Sequence, residues 1–390
     1  MLRQARIPLV ALLLAALLFA GCSPLDKRAA IAPDASAALA PRSSSYDVGA
    51  YYFSGWSHGP NDNVSELLTK HYPQSEPLIG WYDDSQEAVD RSIDQAANAG
   101  IDFFAFDWYD IAQSPYVTDK TLNEGLGFYL TSHERHRLKF CLNWIDFPPF
   151  VPPVSDWAAL VNTWITYFQQ PDYVRVNGKP LFIVFSPEHM DDIFGGPEGV
   201  RRALDYLRAS ARAAGLPGVT VAVAATITPT ANPIHAQILS DEGYDAATGY
   251  SYHSLGNEQY NVPVPYQNLV DENTAMWDRV AERLPIPYIP VVTSGFDLRY
   301  SAREQATAII YEGRTPQKFT CFAALARHWI DTHPTRTTRE RIVMIYAWTE
   351  MGEGGAIIPD HQDGYAFADA VRTIFGGDGH APTTPDYCRS

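Results

Sequence analysis

Near the C-terminal end the chain reads Ile345-Tyr346-Ala347-Trp348-Thr349-Glu350-Met351-Gly352-Glu353-Gly354-Gly355. Two carboxylates stand three residues apart, where an apolar strand runs out into glycine. One acid can donate a proton while the other stays ionised, if their surroundings differ. At the mouth of a barrel, such a pair is equipment for cutting or moving a sugar linkage.

The pair needs a scaffold, and the pattern of the chain supplies one. Short apolar runs occur at Val48–Phe53, Asp102–Trp108, Leu138–Trp144, Pro180–Phe185, Val219–Thr226, Ala246–Tyr250, Tyr288–Thr293 and Ile342–Trp348. Most are continuous and not alternating, as in strands buried on both faces. Helical spacing lies between them. Val89, Ile93 and Ala96/Ala97 share one face, and Gly100 ends that helix. Asp156 is placed to cap a helix through Leu160, Trp164 and Phe168. Further helices run through Val200–Ala211, through Met276, Val280 and Leu284, and over Tyr365–Ile374. About eight alternations predict an α/β fold, a single (β/α)8 TIM barrel. A doubly wound sheet would carry a glycine-rich phosphate turn after its first strand. Here Ser54-Gly55-Trp56-Ser57-His58 follows instead.

In a barrel, residues just past the strands converge on one face. The ends of the strands here deliver Tyr51, Tyr52, Trp56 and His58; Asp107, Trp108 and Tyr109; Asn143, Trp144 and Asp146. Later ends deliver Glu188 and His189, Thr226, then Tyr250, Tyr252 and His253, then Thr293 and Asp297, and finally Trp348 with the two acids. Aromatic faces suit the C–H faces of sugar rings, and acids and amides suit hydroxyls. Glu350 and Glu353 are thus the candidate catalytic pair. The candidate cleft residues are Tyr52, Trp56, His58, Asp107, Trp108, Asn143, Trp144, Tyr252, His253 and Trp348. Glu188 is a rival carboxylate with an equally good reading as a helix start.

Composition narrows the partners. A formal charge of −16 argues against nucleic acid. Aromatic residues make up 13% of the chain, which suits sugar stacking as well as the packing of a large barrel. Arg3 and Arg6 precede an apolar run from Ile7 to Ala20 and then Gly21-Cys22, which reads as an export signal. The run falls short of the about 20 residues of a membrane span. Residues 1–22 are therefore expected to be a lipoprotein signal. Its lipobox resembles Leu18-Phe19-Ala20-Gly21-Cys22, with Cys22 lipidated and the mature protein anchored in the bacterial envelope, at the outer membrane. Residues 23–45, rich in Ala, Pro and Ser, read as a tether. Residues 46–379 form the barrel and 380–390 a tail. Cys141 reads as a buried small hydrophobe, and Cys321 and Cys388 are candidates for a disulfide. No cysteine or histidine cluster suggests a metal, and no cofactor is expected.

Several segments together carry a family resemblance. Ala347-Trp348-x-Glu350-x-x-Glu353-Gly354, followed by Ile357 and Pro359-Asp360, is similar to the signature of glycoside hydrolase family 99 and its WbsX-like relatives. Those relatives occur among bacterial polysaccharide-biosynthesis proteins. Gly80-Trp81-Tyr82-Asp83, Ala99-Gly100-Ile101-Asp102-Phe103-Phe104 leading to Trp108-Tyr109, Phe140–Trp144, and Tyr173–Phe182 resemble other family segments in the same order. The resemblance implies a retaining attack on an α-mannoside-type linkage through the sugar's own 2-hydroxyl. Glu350 would assist that hydroxyl as a base, and Glu353 would act as acid and then base. Thr349, Met351 and Ile358 stand where the family often has Asn or His, an aromatic, and an acid. A transglycosylase or trimming enzyme of surface-polysaccharide assembly, and a non-catalytic glycan-binding lipoprotein, remain the alternatives.

Overall fold

The computed structural model describes residues 45–58, 63–111, 121–228, 233–253, 259–301, 305–377 and 380–388. The expected export signal, its Cys22 and nearly all of the tether lie outside the described residues.

All eight expected strands are present. They span Asp47–Tyr52, Phe103–Trp108, Lys139–Trp144, Lys179–Val184, Thr220–Ala224, Ala246–Thr248, Val291–Thr293 and Ile342–Tyr346. Counted in that order they pair 6-5-4-3-2-1-8-7, every pair parallel. The sixth and seventh strands meet through a bridge of Ala247 with Tyr288, which brings the sheet round to a nearly closed barrel. Ala247 N donates to Pro287 O at 2.9 Å, and Ile289 N to Ala247 O at 2.8 Å.

The strands are almost wholly buried, as continuous apolar runs require. Their interior is tightly filled. At Gly49 on the first strand, a Cβ would lie 2.3 Å from the Phe103 ring and 2.6 Å from Met344 Sδ. Glycine is what lets those two side chains share the barrel floor.

Helices cover the outside. The first long one, Gln86–Asn98, is capped by Ser85, whose hydroxyl accepts from Ala88 N, and Gly100 follows with φ +79°. Others span Trp157–Phe168, Pro197–Ala213, Tyr266–Arg283, Pro316–Thr332 and Ala366–Phe375. Asp156 does not cap by its side chain as expected. It closes a 3-10 turn, Val154–Asp156, and accepts instead from the Ser155 hydroxyl. The helix Pro316–Thr332 carries Cys321, which is bonded to Cys388 across 67 residues and fastens the tail to the barrel. Cys141 is buried, as expected.

Six of the eight strands are shorter than expected, the sixth and seventh for local reasons. The sixth stops at Thr248 because the next carbonyl, Gly249 O, accepts the Tyr51 hydroxyl at 2.5 Å. The seventh begins after Pro290, which has no N–H to give a ladder.

Candidate active site

The site is built at the C-terminal end of the barrel. Asp107 and Asn143 are register partners on the second and third strands, both at positions that face inward. Asn143 Nδ2 donates to Asp107 Oδ1 at 2.8 Å. The other carboxylate oxygen, Oδ2, lies 2.7 Å from the Tyr250 hydroxyl. That same hydroxyl lies 2.6 Å from Glu350 Oε1. Tyr250 follows the sixth strand, so one phenol spans from the second strand to the loop after the eighth. Asp107 is 3% exposed and Glu350 7%.

Glu353 has a separate partner. Its carboxylate accepts from the Tyr346 hydroxyl, at the end of the eighth strand. Its carbonyl accepts from Asp297 N at 2.7 Å, which holds the loop against the end of the seventh strand. The loop itself folds back: Gly355 N donates to Glu350 O at 2.9 Å and Ala347 N to Gly355 O at 2.9 Å. A Cβ at Gly355 would lie 2.4 Å from the Tyr346 ring, so glycine permits the close return.

The loop is braced from two further sides. Thr349 Oγ1 accepts from Phe53 N and donates to Phe53 O, both at 2.9 Å. Arg314 donates to Ser294 O at 2.9 Å and to Ala356 O at 2.5 Å, with its guanidinium 3.8 Å from the Phe367 ring centre. Met351 packs with Trp56, Trp81 and Leu68. The family departures at Thr349 and Met351 are thus at positions that fix the loop.

Electrostatically the site is an acidic bowl. Burial pushes the Asp107 carboxyl up to about 7, the Asn143 and Tyr250 hydrogen bonds oppose that, and the Glu353 charge adds to it. Burial and the charges of Asp107, Glu350 and Glu353 push the Tyr250 and Tyr346 hydroxyls well above the usual phenol range. Tyr109 is raised by burial and the same three carboxylates. All three phenols are therefore neutral donors. Among the described residues, no group of three His, Cys, Asp or Glu side chains is placed to hold a metal ion.

Four residues singled out in the sequence come together here: Asp107, Asn143, Glu350 and Glu353. Trp56 is buried against Leu68, Trp81 and Met351, its Nε1 donating to Thr349 O at 2.7 Å. His253 stacks on Phe296 at 3.9 Å with its Nδ1 2.6 Å from Ser251 Oγ, and burial pushes its imidazole down to about 4. His58 is on the exposed rim, stacked on Tyr82 and paired with Asp84 at 2.7 Å.

The remaining cleft candidates lie elsewhere. Tyr52 packs on Phe104 and Phe106 on the outer face of the sheet. Trp108 and Trp144 pack on Trp164 of a covering helix. Trp348 packs on Phe104, and its Nε1 donates to Ser92 Oγ at 2.6 Å. Strand alternation is the cause for three of them: where Tyr51, Asp107 and Asn143 point in, Tyr52, Trp108 and Trp144 point out. The Tyr252 hydroxyl contacts Ala225 O, Thr248 O and Tyr288 Oη in the core. Asp146 accepts from Ser186 N, joining two loops, and Glu188 lies exposed in the first turn of the helix Pro187–Phe194, the helix-start position. Of the two phenols that hold the acids, Tyr250 was named as a strand-end residue but not as a cleft residue, and Tyr346 was read only as part of its strand. The parity of Asp107 and Asn143, continued round the barrel, is the signal that points to an inward ring.

Comparison with known proteins agrees with this architecture. Residues 153–371, more than half of the chain, match the family model described as "Glycosyltransferase WbsX". Two curated relatives, each named "Uncharacterized protein WxcX", come from Xanthomonas campestris pv. campestris strains B100 and ATCC 33913. Each is 25% identical over 350 residues, covering 81% of this chain. The chain spans about half the length of these relatives, 46%. Among solved structures, a "Glycoside hydrolase-like protein" matches with TM-score 0.60 at 15% identity, over 85% of this chain and 94% of that one. The GH99 endo-alpha-mannosidase from Bacteroides thetaiotaomicron, in complex with BIS-TRIS-propane, matches with TM-score 0.57 at 14% identity, over 83% of this chain and 94% of that one. The fold is a TIM barrel like that of these solved structures, and by its sequence the chain belongs to the family described as "Glycosyltransferase WbsX".

Proposed function

We propose that this chain is a glycan-active enzyme that breaks an α-linked, mannoside-type glycosidic bond with Glu350 and Glu353. The observation that carries this reading is that the two acids share one loop but not one environment. Glu350 is buried, with the Tyr250 hydroxyl on its carboxylate. Glu353 is half-buried and is held by Tyr346. Separate surroundings are what separate roles require.

In this reading Glu350 stays ionised and takes the proton of the sugar's 2-hydroxyl as that oxygen attacks the anomeric carbon. Glu353 gives a proton to the departing oxygen and afterwards draws one from the incoming nucleophile. The anomeric configuration is then retained, through two inversions. Substrate-assisted routes stand outside the usual carboxylate-spacing rule. The likeness to an endo-alpha-mannosidase supports the class of linkage.

The incoming nucleophile is water in a hydrolase and a sugar hydroxyl in a transferase. The family description favours keeping transfer as a second reading, because the same two acids serve both. The test is a screen of defined α-linked oligosaccharides, with and without acceptor sugars, followed by NMR of the first-formed anomer. Retained α product supports the reading. A first product of inverted configuration overturns the route. Binding without any turnover across the panel points to a glycan-binding protein.

We also propose export and lipidation at Cys22. The disulfide between Cys321 and Cys388 fits an oxidising compartment. A Cys22→Ser variant should leave the membrane fraction; if it stays, the anchor is something else.

A further inference from the structure

The contacts of Tyr250 set a proton count. Its hydroxyl lies 2.7 Å from Asp107 Oδ2 and 2.6 Å from Glu350 Oε1. A phenol has one proton to donate, and a carboxylate has only lone pairs to offer. With both acids ionised, one of these two short contacts would set oxygen lone pairs against each other in a buried site. Both contacts become hydrogen bonds only if one carboxyl carries a proton and donates it to the phenol oxygen.

Of the two acids Asp107 is the more deeply buried, 3% exposed against 7% for Glu350, so the proton is assigned to it. Asp107 Oδ1 is occupied as an acceptor for Asn143 Nδ2 at 2.8 Å, which leaves Oδ2, the oxygen facing Tyr250, as the protonated one. We propose that the resting site holds a shared proton on Asp107 Oδ2, so that Asp107 donates to Tyr250 and Tyr250 donates its own proton to an ionised Glu350. Asp107 is then a positioning residue that acts through the phenol and never needs to touch the reacting atoms.

The surroundings favour this state. Facing the chain of bonds are Glu353 from the same loop as Glu350, Tyr346 from the eighth strand, Tyr109 after the second and Tyr51 on the first. These groups are acids or neutral phenols, and a third carboxylate beside a buried group raises the cost of ionising Asp107. Burial alone pushes Asp107 in the same direction, up to about 7 with the charge of Glu353.

The functional consequence rests on the proposed role of Glu350 as base; the location of the proton does not. The test is therefore made on the resting full-length protein without sugar. Infrared difference titration, wild type against Asp107→Asn, should separate from the bands of other buried acids, Asp83 and Glu242 among them, a protonated-carboxyl band that disappears at about pH 7. The band should be lost in Asp107→Asn and kept in Glu350→Gln. The opposite pattern places the proton on Glu350 and overturns the proposal, as does the absence of such a band in the wild type. If Asp107→Asn fails to fold, side-chain carboxyl NMR of wild-type protein labelled at aspartate gives the same answer, once the Asp107 resonance is assigned through its own backbone and so told from Asp83 and Asp146, which burial also raises. A protein with the band but no turnover on any glycan keeps this inference and loses the proposed activity.

Discussion

Asn143 and Asp107 stand side by side on adjacent strands, and the Asn143 amide donates to Asp107 Oδ1 at 2.8 Å. This bond opposes the upward push of burial on Asp107. An Asn143→Leu variant removes the donor and leaves a buried acceptor unpaired. The Asp107 titration midpoint should move further up, and thermal stability should fall by about 1–3 kcal/mol. Infrared titration and calorimetry check the two effects; a midpoint that moves down contradicts the assigned bond.

Glu350→Gln and Glu353→Gln should each lower kcat/KM on the true substrate by about 10²–10⁴-fold while leaving the fold intact. Circular dichroism and glycan turnover measured on the same preparations check this. Full turnover in either variant removes that acid from the chemistry.

The raised carboxyl of Asp107 has a cost in stability, with a definite sign. Unfolded, the group titrates near 3.8; folded, near about 7. Between these values the native state keeps a proton that the unfolded state has released, so native stability falls as pH rises through the window. Above it the deficit is full, on the order of a few kcal/mol. Asp107→Asn should therefore melt above the wild type at pH 8, with the gap closing toward pH 4. Melting curves across that range decide it.

Trp348 sits beside the catalytic candidates in sequence but faces a helix, its Nε1 bonded to Ser92. Trp348→Phe should cost about 1–3 kcal/mol of stability through the lost bond and volume. It should leave KM for the glycan unchanged. A large rise in KM without a stability change would show the ring in the cleft.

The Cys321–Cys388 bond closes a loop of 67 residues, which in the chain-entropy picture stabilises by up to about 4 kcal/mol. Cys388→Ser should lower the melting temperature and leave kcat/KM unchanged, because the bond lies on the outer helix Pro316–Thr332 and the tail.

Much of this was legible in the chain. Continuous apolar runs marked all eight strands, since a strand buried on both faces has no polar side to show. The convergence of Asp107, Asn143, Glu350 and Glu353 followed from barrel geometry alone. What the runs concealed was direction. Tyr51 and Tyr52 look alike in sequence, yet one points to the Tyr250 ring at 4.7 Å and the other to the covering layer. A run with no polar positions gives no parity until one polar residue, such as Asp107, fixes it. Tyr346 was hidden for the same reason, as one more apolar strand residue. Aromatic richness suited sugar stacking and barrel packing alike, and Trp108, Trp144 and Trp348 fall to packing, filling the space between sheet and helices.

The loop that turns from Ala347 to Gly355 carries both acids between two backbone bonds of its own, and Asp297, Thr349 and Arg314 pin it from three directions. The acids therefore ride on one bracket, and the bonds between them are the loop's own. Variation within such a lineage would then fall on the opposite strand ends, while the spacing of the two acids stays that of the loop.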